Sequence, residues 1–354
     1  MQLLRYTFDD GLRLEDLYQP QHYTTYTITR LTYRLLEQIM KGNPDNRKWL
    51  SSAREIRFLE TQIALPAATA ALMELFKDNR KLLDRITVEQ IVFFVQLLRA
   101  HGRVSSFITF MSILCCCDDE ALSKNQEFIC QKLVAESPDL LIPIKMVDGI
   151  VCVANDANLW ISLEEFVSTA KKNVLQYFID SVILFSKLCA GRNEQTAAVI
   201  SQIMTYELVL TCLKNEHLPA LLRTAFCQLY LNLFVDINPY EKVNFINYTR
   251  VWLNLDRKAL TVSQRGKSVY DYTATHRFDA LKQFIKQYLR EHRVQDIQDS
   301  ETNSLTLSIL VLLRHLFSFG FYTDYGEIND IELIITPLIK LLDGKTDLSG
   351  KQRT

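Results

Sequence analysis

Three consecutive cysteines, Cys115, Cys116 and Cys117, stand in the stretch "LLRAHGRVSSFITFMSILCCCDDEALSKNQEFICQKLV" at residues 97–134, together with His101, Asp118, Asp119 and Cys130. Thiolates, an imidazole and carboxylates are the donor set of soft and borderline metals and of thiol–disulfide chemistry. The spacing argues against both. Cys152, Cys189, Cys212 and Cys227 complete the set, and no C-x-x-C pair occurs, whereas structural zinc sites need paired ligands a turn apart. Read as a continuation of the apolar helix before them, Cys115, Cys116 and Cys117 project about 100° apart and cannot converge on one ion. Cys189 in "VILFSKLCAG" and Cys227 in "LRTAFCQLYLNLF" sit in apolar runs, which predicts free buried thiols in a reducing compartment.

The other polar residues give no catalytic constellation. "DDEALSKNQE" lacks the spacing and central glycine of a calcium loop and reads as a solvated turn between helices, as do Asp9, Asp10, Glu15 and Asp16. The six histidines are dispersed, and His315 in "LLRHLFSF" reads as a satisfied imidazole within an apolar run. Phosphate-loop, dinucleotide, metalloprotease and nucleophile-elbow patterns are absent from the sequence. The expectation is a protein that is not an enzyme, with no catalytic residue, no metal ligand and no cofactor.

The elements that carry these residues read as helices. The 354 residues are 48% hydrophobic and 23% charged, enough to bury a sizeable core, and 10 Gly and 8 Pro are few for this length. A formal net charge of −1 gives no argument for nucleic acid. The first twenty residues carry Arg5, Asp9, Asp10, Arg13, Glu15 and Asp16, which excludes a secretory leader there, and Asp180 and Lys187 break the apolar run at 174–190. No transmembrane segment is expected.

Val88, Ile91, Val92, Val95 and Leu98 follow helical spacing, and Leu222, Ala225, Phe226, Leu229, Tyr230 and Leu233 repeat it. Thr87 with Gln90 predicts a capping box. "SLTLSILVLLRHLFSFGF" is apolar nearly all round, as an inner helix would be. Phe94, Leu98, Phe110, Leu114, Phe226, Leu229, Leu310 and Leu313 are the predicted core. Residues 144–162 and 255–275 read as loops, and 344–354 as a polar tail. The expected fold is all-α, an α-solenoid of stacked antiparallel helix pairs without a β-sheet of consequence.

The opening stretch resembles the RIH domain shared by inositol 1,4,5-trisphosphate receptors and ryanodine receptors, with Leu114, Cys115, Asn125, Gln126, Ile129 and Leu133 as its main markers. "HGR" at 101–103 is closer to the ryanodine receptor form. "LRLEDL" at 12–17, "TRLTYRLL" at 29–36, "DNRKLLDRIT" at 78–87, "NEHLPALLRTAFCQLYLNLFVDINPYEKVNFINYTRVW" at 215–252 and "FSFGFYTDYGEINDIELIITPLIKLLD" at 317–343 are similar to the inositol trisphosphate receptor. The likeness is nearly colinear over 2–343 and weakest at 144–170, where the family often carries a longer acidic insertion.

The resemblance implies a cytosolic segment of a homotetrameric, ligand-gated calcium release channel of the endoplasmic reticulum membrane. Residues 1–76 would end the ligand-binding armadillo-like domain, and 77–343 would form the RIH-type solenoid. The partners are the receptor's remaining domains, with the trefoil upstream and the pore downstream. In the family a Tyr-Arg-Lys triplet after the "RLxYRxL" helix contacts the inositol phosphates. Here "RLTYRLLEQIMKGNPDNRKWL" places Arg47 and Lys48 in the matching position, with Asn46 in place of the tyrosine and a turn three residues longer. Arg47 and Lys48 are therefore the expected partial site for inositol 1,4,5-trisphosphate, and a solvated basic turn is the other reading of this pair. A free-standing armadillo-like interaction scaffold is the alternative for the whole chain.

Overall fold

The computed structural model describes residues 1–9, 12–155, 159–242, 277–292, 298–322 and 336. The stretch expected as a loop at 255–275 and the tail at 344–354 lie outside the described residues. The chain divides into two compact units, residues 1–209 and 210–354.

The first unit opens with α1 (Gln2–Asp9), α2 (Tyr23–Met40), α3 (Pro44–Leu50), α4 (Ala53–Thr61), α5 (Pro66–Phe76) and α6 (Arg80–Leu83). It continues through α7 (Val88–His101), α8 (Ser105–Leu114), a small hairpin of β1 (Cys116–Cys117) and β2 (Glu120–Ala121), and α9 (Ser123–Ile129). A sheet of β3 (Ile144–Val147), β4 (Ile150–Ala154) and β5 (Trp160–Ser162) precedes α10 (Leu163–Thr169), α11 (Lys172–Leu188) and α12 (Glu194–Ile203). Helix α13 (Tyr206–Lys214) leads on to α14 (Ala220–Tyr230), α15 (Asp279–Glu291) and α16 (Ser300–Ser318).

Within the first unit α2 packs on α5, α5 on α8 and α8 on α11, so every third helix forms one continuous row. Each helix of the row buries a face that could not be buried alone, the defining economy of a solenoid. The fold is thus all-α and solenoid-like, as the periodicity predicts. Aromatic side chains knit the row: Phe110 on α8 meets Phe76 on α5 and Phe94 on α7 edge-on, with centroids 5.5 and 4.9 Å away. Thr87 and Gln90 form the predicted capping box at the start of α7. Asp180, inside the apolar α11, accepts hydrogen bonds from Ser105 and Thr109 on α8 and from Gln176. The carboxylate in that run therefore ties two neighbouring helices of the row.

In the second unit α14 packs on α16. The stripe Leu222, Ala225, Phe226, Leu229, Tyr230 and Leu233 is buried throughout. Of the predicted core, Phe94, Leu98, Phe110, Leu114, Phe226, Leu229 and Leu313 are buried, and Leu310 is not. On α16 the buried positions are Leu305, Ile309, Leu312, Leu313 and Leu316, while Leu307 is 63% exposed. Leu310 lies one residue, about 100°, beyond Ile309 and falls at the edge of that stripe. An all-round apolar sequence does not reveal which face turns inward.

Two local readings need correction. Residues 144–147, 150–154 and 160–162 form a three-stranded antiparallel sheet, not a loop, with Val147 opposite Ile150 and Ala154 opposite Trp160. Asp148 and Gly149 between β3 and β4 have φ of 50° and 79°. Two successive left-handed residues twist the chain to suit a two-residue hairpin, and Asp-Gly is a favoured pair for it. The second correction concerns the cysteines. Asp118 and Asp119, with φ of 47° and 63°, turn the chain so that Cys116 pairs with Ala121 and Cys117 with Glu120. Cys115 ends α8, and Cys116 and Cys117 are extended, so the three do not fan around a helix. No single helix among the described residues is long and apolar enough to cross a membrane.

Candidate functional site

Arg47 and Lys48 lie on α3, a two-turn helix fixed at its start by local chemistry. Gly42 reverses the chain after α2 with φ of 66°. Asn43 caps α3, its side chain accepting from the Asn46 N–H at 3.1 Å, and Pro44 supplies the first helical residue. Asn46, which replaces the family tyrosine, donates from Nδ2 to the Ile39 carbonyl at 2.8 Å and pins α3 to the end of α2.

The two basic residues part company from there. The half-buried Arg47 donates from Nη1 to the carbonyl of Lys77, the residue that closes α5. A cation at that end meets the negative pole of the helix and one of its unpaired carbonyls. The Nε of Arg47 is buried without a hydrogen-bond partner. The Lys48 side chain is exposed and makes no hydrogen bond or ion pair among the described residues. The structure therefore does not bring the pair to one point: one guanidinium is turned onto a helix end, and one ammonium stands in solvent.

One turn beyond Arg47, Ser51 donates to the Arg47 carbonyl and receives a hydrogen bond from Asn79. Ser51 also forms the edge of a groove of about 370 Å³ that holds Arg57 and Arg85 with Glu60. Glu60 accepts from Gln90 at 2.9 Å, and burial pushes its carboxyl above the usual range, against the lowering effects of that bond and of Arg57. Arg57 and Arg85 escape a reading of the sequence because they are ten and thirty-eight positions from Arg47. Only the return of the chain through α4 and the turn after α6 places them in one groove.

The residues that carry the family resemblance are structural. Asn125 donates to the carbonyls of Leu83 and Leu114, at 3.0 and 2.9 Å. Gln126 donates to those of Lys187 and Ala190, at 2.8 and 3.0 Å, and accepts from Asn193 at 2.9 Å. Both amides are fully buried. They satisfy carbonyls at the ends of α6, α8 and α11 and so fasten successive layers together. Gly191, in the left-handed region at φ 70°, lets the β1–β2 hairpin approach: a Cβ there would collide with the Cβ of Ala121.

Six of the eight free thiols are buried. Burial pushes Cys115 well above the usual thiol range, Cys130 up to about 11 and Cys189 up to about 12. Such thiols stay protonated and are poor nucleophiles and ligands. Among the described residues no group of three or more His, Cys, Asp or Glu side chains could hold a metal ion.

Residues 1–146 match the family model of the RIH domain. The chain is 27% identical over 226 residues to the inositol 1,4,5-trisphosphate receptor-like protein A of Dictyostelium discoideum, covering 62% of this chain and 7% of that protein. It is 25% identical over 343 residues to the inositol 1,4,5-trisphosphate receptor itr-1 of Caenorhabditis elegans, covering 90% of this chain and 12% of that protein. The chain thus spans about a tenth of the length of these relatives, both named as receptors or receptor-like proteins.

Proposed function

We propose that this chain, a RIH-domain protein similar to inositol 1,4,5-trisphosphate receptors, is a cytosolic segment of a ligand-gated calcium release channel of the endoplasmic reticulum membrane. In this reading it is not an enzyme. Residues 1–76 end the ligand-binding helical domain and 77–343 continue as the RIH-type solenoid. Arg47 and Lys48 form one edge of the inositol trisphosphate site, and the trefoil that faces them and the pore belong to sequence outside these 354 residues. Four such chains assemble in the intact channel. The likeness along 343 residues to the nematode receptor carries the proposal, because it extends well past the RIH match and keeps the same order.

The mechanism follows from the row of helices. Ligand phosphates drawn against α3 compete with the Lys77 carbonyl for the Arg47 guanidinium, since phosphate is the stronger, charge-assisted acceptor. Releasing that helix end alters the seat of α5, and α5 packs on α8 and α8 on α11. Shifts at one end of a close-packed row are transmitted as a change between discrete arrangements.

The test is ligand binding to the full-length parent protein purified from its own cells. Inositol trisphosphate binding that weakens when Arg47 and Lys48 are both replaced by alanine supports the site. Binding unaffected by both substitutions removes them from it. A second reading, the free-standing interaction scaffold, draws on the exposed stripe Ile28, Leu31, Leu35 and Ile39 of α2. A transcript ending at these 354 residues, with no ligand binding, would favour it.

A further inference from the structure

The start of α5 and the face of α2 opposite it enclose a groove of about 280 Å³ lined with hydrogen-bond donors. Arg30 and Arg34 line it from α2, both exposed, and the Arg30 guanidinium lies 6.0 Å from the centroid of the Tyr26 ring. Helix α5 begins behind Leu65, which gives it no side-chain cap. Pro66 has no N–H, and the N–H groups of Ala68 and Thr69 turn back to the Leu65 carbonyl at 2.9 and 3.1 Å. That leaves the N–H of Ala67, a residue of the groove, at the positive end of an 11-residue helix.

Tyr33 supplies the independent observation. It is 0% exposed and lines the groove, and its hydroxyl has no hydrogen-bond partner. A buried hydroxyl without a partner is costly, and each such group calls for an explanation, an external acceptor among them. Burial raises its ionisation range, so the hydroxyl remains a donor. Thr29 is already committed, donating to the Thr25 carbonyl at 2.8 Å, and Glu37 is the one carboxylate of the groove. Leu65, Pro66, Ala67 and Ala70 give an apolar floor.

We propose that this groove binds a small phosphate monoester. Its oxygens would lie on the Arg30 and Arg34 guanidinium groups, the Tyr33 hydroxyl and the Ala67 N–H, and its organic body on the apolar floor. Four donors suit the three free oxygens of a phosphate better than the two of a carboxylate, and arginine forks and helix starts are both phosphate-binding devices. The groove is distinct from Arg47: it lies at the first turn of α5, whereas Arg47 binds the last, about 16 Å away at ~1.5 Å per residue. It does not depend on the function proposed above.

Phenyl phosphate titrated calorimetrically into the full chain at fixed ionic strength tests the proposal. One saturable site is expected, with inorganic phosphate weaker and uncharged benzyl alcohol silent. The double variant Arg30→Gln, Arg34→Gln should abolish binding, and Tyr33→Phe should weaken it roughly tenfold, the loss of about 1.4 kcal/mol. Tyr33→Phe should also raise the unfolding midpoint of the free protein, which a merely structural hydroxyl would not do. Glu37→Gln should tighten binding by removing the repelling charge, and Arg47→Ala should leave it unchanged. No binding to the unaltered chain, or binding that survives the double arginine variant, overturns the assignment. So does binding that falls with Arg47→Ala, which would place the anion at the other end of the helix.

Discussion

The Arg47 guanidinium donates to the carbonyl of Lys77, so a residue on α3 closes the end of α5 thirty positions later in the chain. A basic residue that the resemblance alone assigns to a ligand edge is a helix cap in this structure. In the proposed site the same side chain would choose between this carbonyl and a phosphate, so its substitution should register in stability as well as in binding.

Arg47→Ala should destabilise the first unit by about 1 kcal/mol, the contribution of one charged hydrogen bond at a helix end. Lys48→Ala, which removes an exposed side chain without partners, should change stability by less than about 0.5 kcal/mol. Urea midpoints of the two variants separate the roles. Equal effects would show that the Lys77 contact is not maintained in solution.

Gln126 holds three partners, one in the last turn of α11 and two in the segment that follows it. Gln126→Leu should cost about 3 kcal/mol or more, because the Lys187 and Ala190 carbonyls and the Asn193 amide lose their partner in a site closed to water. Hydrogen exchange should accelerate first in α9 and α12. A variant with unaltered exchange there would mean that packing, and not the amide, joins these layers.

Phe226 is fully buried on α14, whereas Leu310 is half-buried at the edge of the α16 stripe. Phe226→Ala should cost about 3–5 kcal/mol by opening a cavity between packed helices. Leu310→Ala should cost clearly less, since solvent reaches the site. Chemical unfolding of both variants, read at unchanged denaturant slope, checks the order.

Glu60 gives a pH dependence of known sign. Burial raises its carboxyl in the folded protein, so the folded state holds the proton more tightly than the unfolded chain. Its contribution to stability is then complete below the ordinary carboxylate range and is lost as pH rises through the folded value. Glu60→Gln keeps an acceptor for Gln90 and removes the charge. The variant should match the parent protein in acid and exceed it near neutral pH. A gap of the same size at both would show that the carboxylate titrates normally.

The sequence by itself determined the helical class, the buried stripe of α14, the capping box at Thr87 and the likeness to inositol trisphosphate receptors. Each rests on short-range information: a 3.6-residue period, a cap three residues from its partner, or a run of residues kept in order. The Asp148–Gly149 hairpin has an equally local signal in its Asp-Gly pair, which a reading of 144–162 as a loop misses, and the Asp118–Asp119 turn has no glycine to mark it. What only the tertiary structure decided is which distant groups meet. Nothing in the spacing of Arg47 and Lys77, of Gln126 and Asn193, or of Tyr33 and the start of α5 announces their contact. Those meetings arise because every third helix of the first unit stacks on the next, and stacking selects one face of each helix from sequences that are apolar on more than one.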